Sequence, residues 1–208
     1  MEKDKGLNEK AQDVLKELGN IGTGNAVTAL SVMLGHSLEI LSTRLSLVSY
    51  QEISGSLGNS EEEKIGIMLE AAGDVKGVFL FLLDRAFAGH TLASLLGQEE
   101  TELTKLDDMG RSVFCELGNI MCGSYVNALA QLLNKEITVS VPYVCMDMGG
   151  AIFNSLLSRM IVVSDTLLLI DNVIRIKKQS LSGQILFFPE LESMNRIAEW
   201  LEELYSYG

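Results

Sequence analysis

The sequence predicts an α+β fold: one pseudo-twofold, duplicated domain with a mixed, largely antiparallel sheet covered by helices, two of them long. Three observations carry this. The stretch Glu17-Leu18-Gly19-Asn20-Ile21-Gly22-Thr23-Gly24 returns 99 residues later as Glu116-Leu117-Gly118-Asn119-Ile120-Met121-Cys122-Gly123, and between Val14 and Leu30 the two copies share ten of seventeen residues. Two long copies are a duplicated half rather than a solenoid. Each copy lies in a segment whose apolar residues recur at intervals of three and four. Each is followed by strand-like segments and a second helix in the same order. The expected extent is one domain over residues 1–208, built from repeats at about 9–97 and 104–205.

The elements follow in chain order. Residues 9–34 read as one amphipathic helix through Leu15, Leu18, Ile21, Gly22, Ala26, Ala29, Leu30 and Met33, stopped at Gly35. Its three central glycines cost roughly 1 kcal/mol each relative to alanine, so close approach of another helix or a partner must compensate. Residues 38–49 alternate as a half-buried strand, and Ser54 to Glu63 reads as a loop at a hairpin tip. Ile65–Ala71 and Val75–Leu83 are the next strands, followed by a helix over 85–96 with Asp84 as N-cap and Gly97 as stop. Gln98–Thr104 is a polar linker. The second half repeats the order: a helix over 106–133, a strand over 137–148, an irregular or helical piece to Leu157, strands at 160–170, 173–178 and 184–188, and a last helix over 190–205. Gly77-Val78-Phe79-Leu80-Phe81-Leu82 and Gly183-Gln184-Ile185-Leu186-Phe187-Phe188 are the expected equivalent strands.

Composition narrows the function. With 208 residues, 47% of them apolar, the chain can bury a large core. A net charge of −12 with no dense Lys/Arg cluster argues against nucleic acid and against an anionic membrane surface. The longest apolar run, Val78 to Leu83, is far short of the roughly 20 residues a spanning helix needs. The charged N-terminus leads to no signal-type apolar core, so a cytoplasmic protein is expected. Cys115, Cys122 and Cys145, with only His36 and His90 as histidines, make neither a disulfide framework nor a metal cluster. They read as small buried apolar groups.

Asp13, Glu17, Asn20 and Gly24 step by four, three and four, so they share one stripe of the first helix, away from its apolar side. Ser112, Glu116, Asn119 and Gly123 make the same stripe on the second. A single such stripe reads first as solvated surface; the register kept in two copies favours a site. The glycines leave room beside each Asn for another molecule's backbone or a ligand. A phosphate-loop reading fails because no strand precedes the glycines. A Ser/His/Asp or Cys/His arrangement is not available, and a glycosidase carboxylate pair would need two separate stripes to converge. A carboxamide cannot act as base, but it can hold and orient a water. With a neighbouring carboxylate, that suits an already activated electrophile, as in phosphoryl transfer.

These residues resemble the CheC/CheX/FliY family of chemotaxis phosphatases. The family pattern is Asp or Ser, three residues, Glu, two residues, Asn, twenty-two residues, Pro. The second copy matches throughout at Ser112, Glu116, Asn119 and Pro142. The first matches at Asp13, Glu17 and Asn20, with Thr43 where Pro is expected. The duplication, the length and the stretch from Pro142 to Phe153 are more similar to the two-site CheC branch than to the single-site or flagellar-switch branches.

The resemblance implies a phosphatase acting on the phospho-aspartate of CheY, the chemotaxis response regulator. Asn20 and Asn119 would orient the attacking water, and Glu17 and Glu116 would engage the regulator's active-site Lys. No cofactor of its own is implied, since the catalytic Mg²⁺ belongs to the regulator. It also implies binding to CheD, a glutamine deamidase that stimulates the phosphatase, through Met146, Asp147, Met148, Ile152 and Phe153; read from the residues alone, these are strand-end and core positions. The alternative is a non-catalytic module that sequesters phosphorylated CheY or CheD, or a flagellar-switch component.

Overall fold

Two segments of 26 residues coil into α1 (Glu9–Leu34) and α4 (Asp108–Leu133), the helices that carry the repeated stretch. The computed structural model describes residues 9–57, 60–97, 103, 105–159, 166–176 and 179–206. α1 ends at Gly35, whose φ of +66° needs no Cβ. α4 starts on Asp107, whose side chain accepts a 2.8 Å hydrogen bond from the Gly110 amide, and ends on Asn134 in the left-handed region.

The strands are β1 (Leu38–Ser49), β2 (Glu63–Gly73), β3 (Gly77–Asp84), β4 (Ile137–Val139), β5 (Tyr143–Met148), β6 (Thr166–Ile176) and β7 (Gln179–Pro189). They form one sheet in the order β1-β6-β7-β3-β2-β4, with β5 following β4 along the same edge of β2. Every described pairing is antiparallel. The remaining helices are α2 (Tyr50–Ser56), α3 (Arg85–Leu96), α5 (Gly149–Arg159) and α6 (Leu191–Ser206).

The duplication is visible in the register. At the centre, Leu80 of β3 faces its own sequence counterpart, Leu186 of β7, while Gly77 and Leu83 face Pro189 and Gly183. A pseudo-twofold axis therefore passes between the two equivalent strands. Further out, each half lends its first strand to the other: β1 pairs with β6, and β4 and β5 pair with β2. The apolar run of β3 is buried on both faces because helices cover both. On one side Phe81, Leu83, Ile185 and Phe187 pack under α1, α3, α4 and α6. On the other, Leu80, Leu82, Leu169 and Leu186 pack under α2 and α5.

Several expected elements need correction. Ser54–Glu63 is no hairpin tip, because β1 does not pair with β2; α2 occupies 50–56 and carries Ile53 onto the far face of the sheet. The strand expected over 137–148 is broken at Pro142, which has no amide hydrogen for the ladder. The two strands expected around 160–178 are one, β6, running straight through Asp171-Asn172; residues 160–165, 177 and 178 lie outside the described set. Asp84 stands at the N-cap position of α3 but makes no capping bond; its carboxylate instead accepts from Lys64 Nζ at 2.6 Å. Most of the linker expected at 98–104 also lies outside the described residues.

Candidate functional site

Both stripes face outward. Asp13, Glu17 and Asn20 are exposed on α1, and Ser112, Glu116 and Asn119 are exposed on α4. Among the described residues no hydrogen bond ties down the side chains of Glu17, Asn20, Glu116 or Asn119, so they are available to a partner. The leading residue of each stripe is engaged: Asp13 accepts from Lys16 Nζ at 2.9 Å, and Ser112 Oγ donates to the Asp108 carbonyl at 3.0 Å. The exposed Asp13–Lys16 pair orders side chains more than it stabilises.

The glycines divide into two kinds. Beside each Asn, Gly24 and Gly123 face open space: a Cβ there would meet nothing within 4 Å. These leave the room the sequence implies. Gly19, Gly22 and Gly118 serve packing instead. A Cβ on Gly19 would lie 2.6 Å from Leu45 Cδ1 of β1, and one on Gly118 2.6 Å from Ile67 Cγ2 of β2. A Cβ on Gly22 would overlap the Tyr125 ring of α4. The helices thus press onto the sheet and onto each other at the residues flanking Asn20 and Asn119, and that contact offsets the poor helix propensity of the stretch.

Each stripe is bordered by an edge strand carrying one extra residue at the same place in the repeat. In β1 the register with β6 shifts between Ile40 and Ser42. On the opposite edge, the four steps from Val139 to Tyr143 oppose three steps from Ala71 to Met68. Bulges redirect side chains next to sites. Here they turn apolar groups outward, with Val141 at 87% exposure, Tyr143 at 57%, and Ile40 and Leu41 close to 40%. Pro142 follows the second bulge and lies 3.5 Å from where a Gly118 Cβ would stand, next to Asn119. Cys115 Sγ lies 3.7 Å from the Pro142 carbonyl, and Arg111 donates to the Val144 carbonyl at 2.8 Å, so α4 is fastened to this edge at two residues just before Glu116.

Thr43 sits at the position of Pro142 after the first bulge. Its Oγ1 donates to Asn172 Oδ1 at 3.0 Å. Asn172 Nδ2 reaches Tyr125 Oη at 3.3 Å, and Tyr125 Oη lies 2.8 Å from Thr23 Oγ1. Thr23 in turn donates to the Gly19 carbonyl at 2.8 Å. Thr23, Tyr125 and Asn172 are almost fully buried, and burial pushes the Tyr125 phenol above its usual range, with the hydrogen bonds to Thr23 and Asn172 opposing the shift. Sequence reasoning missed this network. Asn172 beside Asp171 carried the signature of a turn, and the phenol of Tyr125 gave no local signal of a partner so far away in the chain.

The region suggested for CheD divides by burial. Ile152 and Phe153, on α5, are 3% and 0% exposed and pack down onto the sheet, where Ile152 sits against Gly66. Met146 is half-buried, whereas Asp147 and Met148 are exposed at the end of β5. Cys122 is fully buried, which raises its thiol to about 12. Burial also raises Cys145, helped by the nearby Asp147 carboxylate. Among the described residues no group of three or more His, Cys, Asp or Glu is placed to hold a metal, and no helix is long and apolar enough to cross a membrane.

The fold is a largely antiparallel sheet with helices on both faces and an exposed Glu-x-x-Asn on each of its two long helices. The CheC-like family pattern matches residues 11–41 and 109–146, the two motif-bearing segments. It is 29% identical over 196 residues to the CheY-P phosphatase CheC of Bacillus subtilis (strain 168), spanning 92% of this chain and 94% of that one. It is 26% identical over 140 residues to the flagellar motor switch phosphatase FliY of the same organism, spanning 66% of this chain and 36% of that one. Among solved structures, Thermotoga maritima FliY superposes with a TM-score of 0.70 at 20% identity, covering 95% of this chain and 98% of that one. The FliM middle domain of H. pylori superposes with a TM-score of 0.68 at 11% identity, covering 93% and 99%. These two likenesses bear on the fold.

Proposed function

We propose that the chain is a phosphatase for the phospho-aspartate of a CheY-type response regulator, working from two surface sites, with the repeats at about 9–97 and 104–205 acting as one unit. The carrying observation is that Glu17 with Asn20, and Glu116 with Asn119, stand exposed and unengaged on the two long helices, each beside a glycine that leaves open space. The similarity to a CheY-P phosphatase over nearly the whole chain supports the choice of substrate.

The chemistry follows from the groups. The Asn carboxamide enters the regulator's site beside the acyl phosphate, accepts one water proton in a hydrogen bond and holds the water oxygen in line with phosphorus. The Glu carboxylate takes the regulator's active-site ammonium and fixes the approach. Attack breaks the bond between phosphorus and the aspartyl oxygen, releasing phosphate and the free carboxylate. The Mg²⁺ that neutralises the phosphoryl oxygens is held by the regulator. A hundredfold acceleration requires about 2.7 kcal/mol, which positioning can supply. CheD would dock at the exposed end of β5, at Asp147 and Met148, and the work would take place in the cytoplasm.

The test is the lifetime of radiolabelled phospho-regulator. Wild type shortens it, Asn20→Ala and Asn119→Ala each remove part of the effect, and the double variant removes it while the circular dichroism spectrum is kept. A fully active double variant would sink the mechanism. The fold shared with FliM favours one alternative, a switch-type binding module, which predicts a stable complex with the regulator and an unchanged phosphate lifetime.

A further inference from the structure

We propose that Thr43 is a positioning residue that does for the first site, by hydrogen bonding, what Pro142 does for the second by packing; this rests on the reading of Asn20 and Asn119 given above. The first-copy segment is poorly held by its own sequence. Gly19, Gly22 and Gly24 surround Asn20, and three glycines in six residues give a helix little intrinsic stiffness. An Asn that must orient a water needs placement within roughly 0.5 Å, so tertiary contacts have to supply the restraint.

In the second copy the restraint is apolar. Pro142 sits against Gly118, the residue before Asn119, and Cys122 occupies the position of Thr23. In the first copy the edge strand reaches the helix differently: Leu45 fills the space beside Gly19, and Thr43 turns toward its cross-strand neighbour Asn172. The donors and acceptors then run in one consistent sense. Thr43 O–H goes to Asn172 Oδ1, Asn172 Nδ2–H to Tyr125 Oη, Tyr125 O–H to Thr23 Oγ1, and Thr23 O–H to the Gly19 carbonyl. Every hydroxyl hydrogen is used once, and the chain of bonds ends on the backbone of the residue next to Asn20.

A proline at 43 would leave Asn172 Oδ1 facing only Thr23 Oγ1, 3.3 Å away and already donating to the Gly19 carbonyl, in a nearly dry site where an unmade hydrogen bond is expensive. Thr43, Asn172 and Thr23 therefore belong together, as do Pro142 and Cys122 in the other copy. The departure from the Pro pattern does not disable the first site; it exchanges one clamp for another. Because Tyr125 lies on α4, six residues beyond Asn119, the clamp also ties the first site to the helix that carries the second.

The experiment separates the sites. In an Asn119→Ala background, where the first site alone works, Thr43→Val lowers kcat about tenfold, within the hundredfold that a displacement on the order of 1 Å can cost. KM stays within about twofold, and Thr43→Ser restores the rate. In an Asn20→Ala background the same Thr43→Val change leaves the second site's rate within about twofold, which a general loss of structure would not do. Amide hydrogen exchange of the otherwise unmutated Thr43→Val protein quickens about tenfold in residues 19–23 and not in 118–122. Unchanged exchange at 19–23 overturns the proposal whatever the activity, as does equal loss in both backgrounds, or a Thr43→Pro variant whose first site is as fast as that of Thr43. Survival of activity in Asn20→Ala/Asn119→Ala overturns instead the reading of the Asn pair, and the exchange result then still decides the clamp.

Discussion

Gly22 and Gly24 stand two residues apart and answer to opposite demands. Alanine at Gly22 collides with the Tyr125 ring and forces α1 and α4 apart, which costs about 1–3 kcal/mol by overpacking. Alanine at Gly24 or Gly123 meets nothing and removes a helix glycine, so melting temperature rises by the equivalent of about 0.5–1 kcal/mol. Phosphatase activity should nevertheless fall for those two, because the methyl group narrows the approach to Asn20 or Asn119. A Gly24→Ala/Gly123→Ala protein that is both more stable and fully active would show that the open space is not used. Cys122 supplies the pH prediction. Its thiol is raised from an ordinary value near 9 to about 12, so the folded form keeps its proton where the unfolded form loses it. Stability is therefore intact below pH 9 and declines between about 9 and 12, at about 1.4 kcal/mol per unit. The raised Tyr125 phenol adds to the same alkaline loss. Urea midpoints taken from pH 8 to 11 should fall, and Cys122→Ala should flatten the slope; an equally steep slope in that variant would refute the assignment.

At the level of elements, α5 was legible only as an irregular or helical piece, and its burial changes what the segment can do. Phe153 is fully enclosed against Phe188, with ring centroids 6.0 Å apart, so Phe153→Ala should cost about 3–5 kcal/mol in chemical denaturation. Met148→Ser, at a half-exposed position, should cost less than about 0.5 kcal/mol and weaken only a partner that docks there. A large stability loss from Met148→Ser would remove that surface from consideration. The helices were the most readable elements, because α1 and α3 end on Gly35 and Gly97 and the apolar spacing of α1 and α4 is clear. The edge strands were least readable. Their bulges at Leu41 and near Pro142 arise from pairing with strands far away in sequence, and a period-two pattern cannot announce an inserted residue.

For the whole molecule, the exchange of first strands sets the cooperativity. Neither repeat contains the partner for its own first strand: β1 requires β6, and β5 requires β2. A chain cut between residues 97 and 105 should therefore give fragments that remain associated, and each fragment alone should lose its sheet signal in circular dichroism. A separately folded, monomeric half would contradict this.

The sequence by itself determined the duplication, the two long helices and the outward stripe of Glu17, Asn20, Glu116 and Asn119, since all of these are local periodicities repeated at a fixed interval. It also isolated Thr43 as a departure. Only the tertiary structure decided what stands around that stripe: which glycines pack and which leave space, where the edge strands bulge, and why threonine serves at position 43. Those answers depend on Tyr125, brought beside Thr23 by the packing of α4 on α1, and on Asn172, brought beside Thr43 by strand exchange between the halves, and hydrogen bonds spanning 102 and 129 residues of chain leave no periodic trace along it.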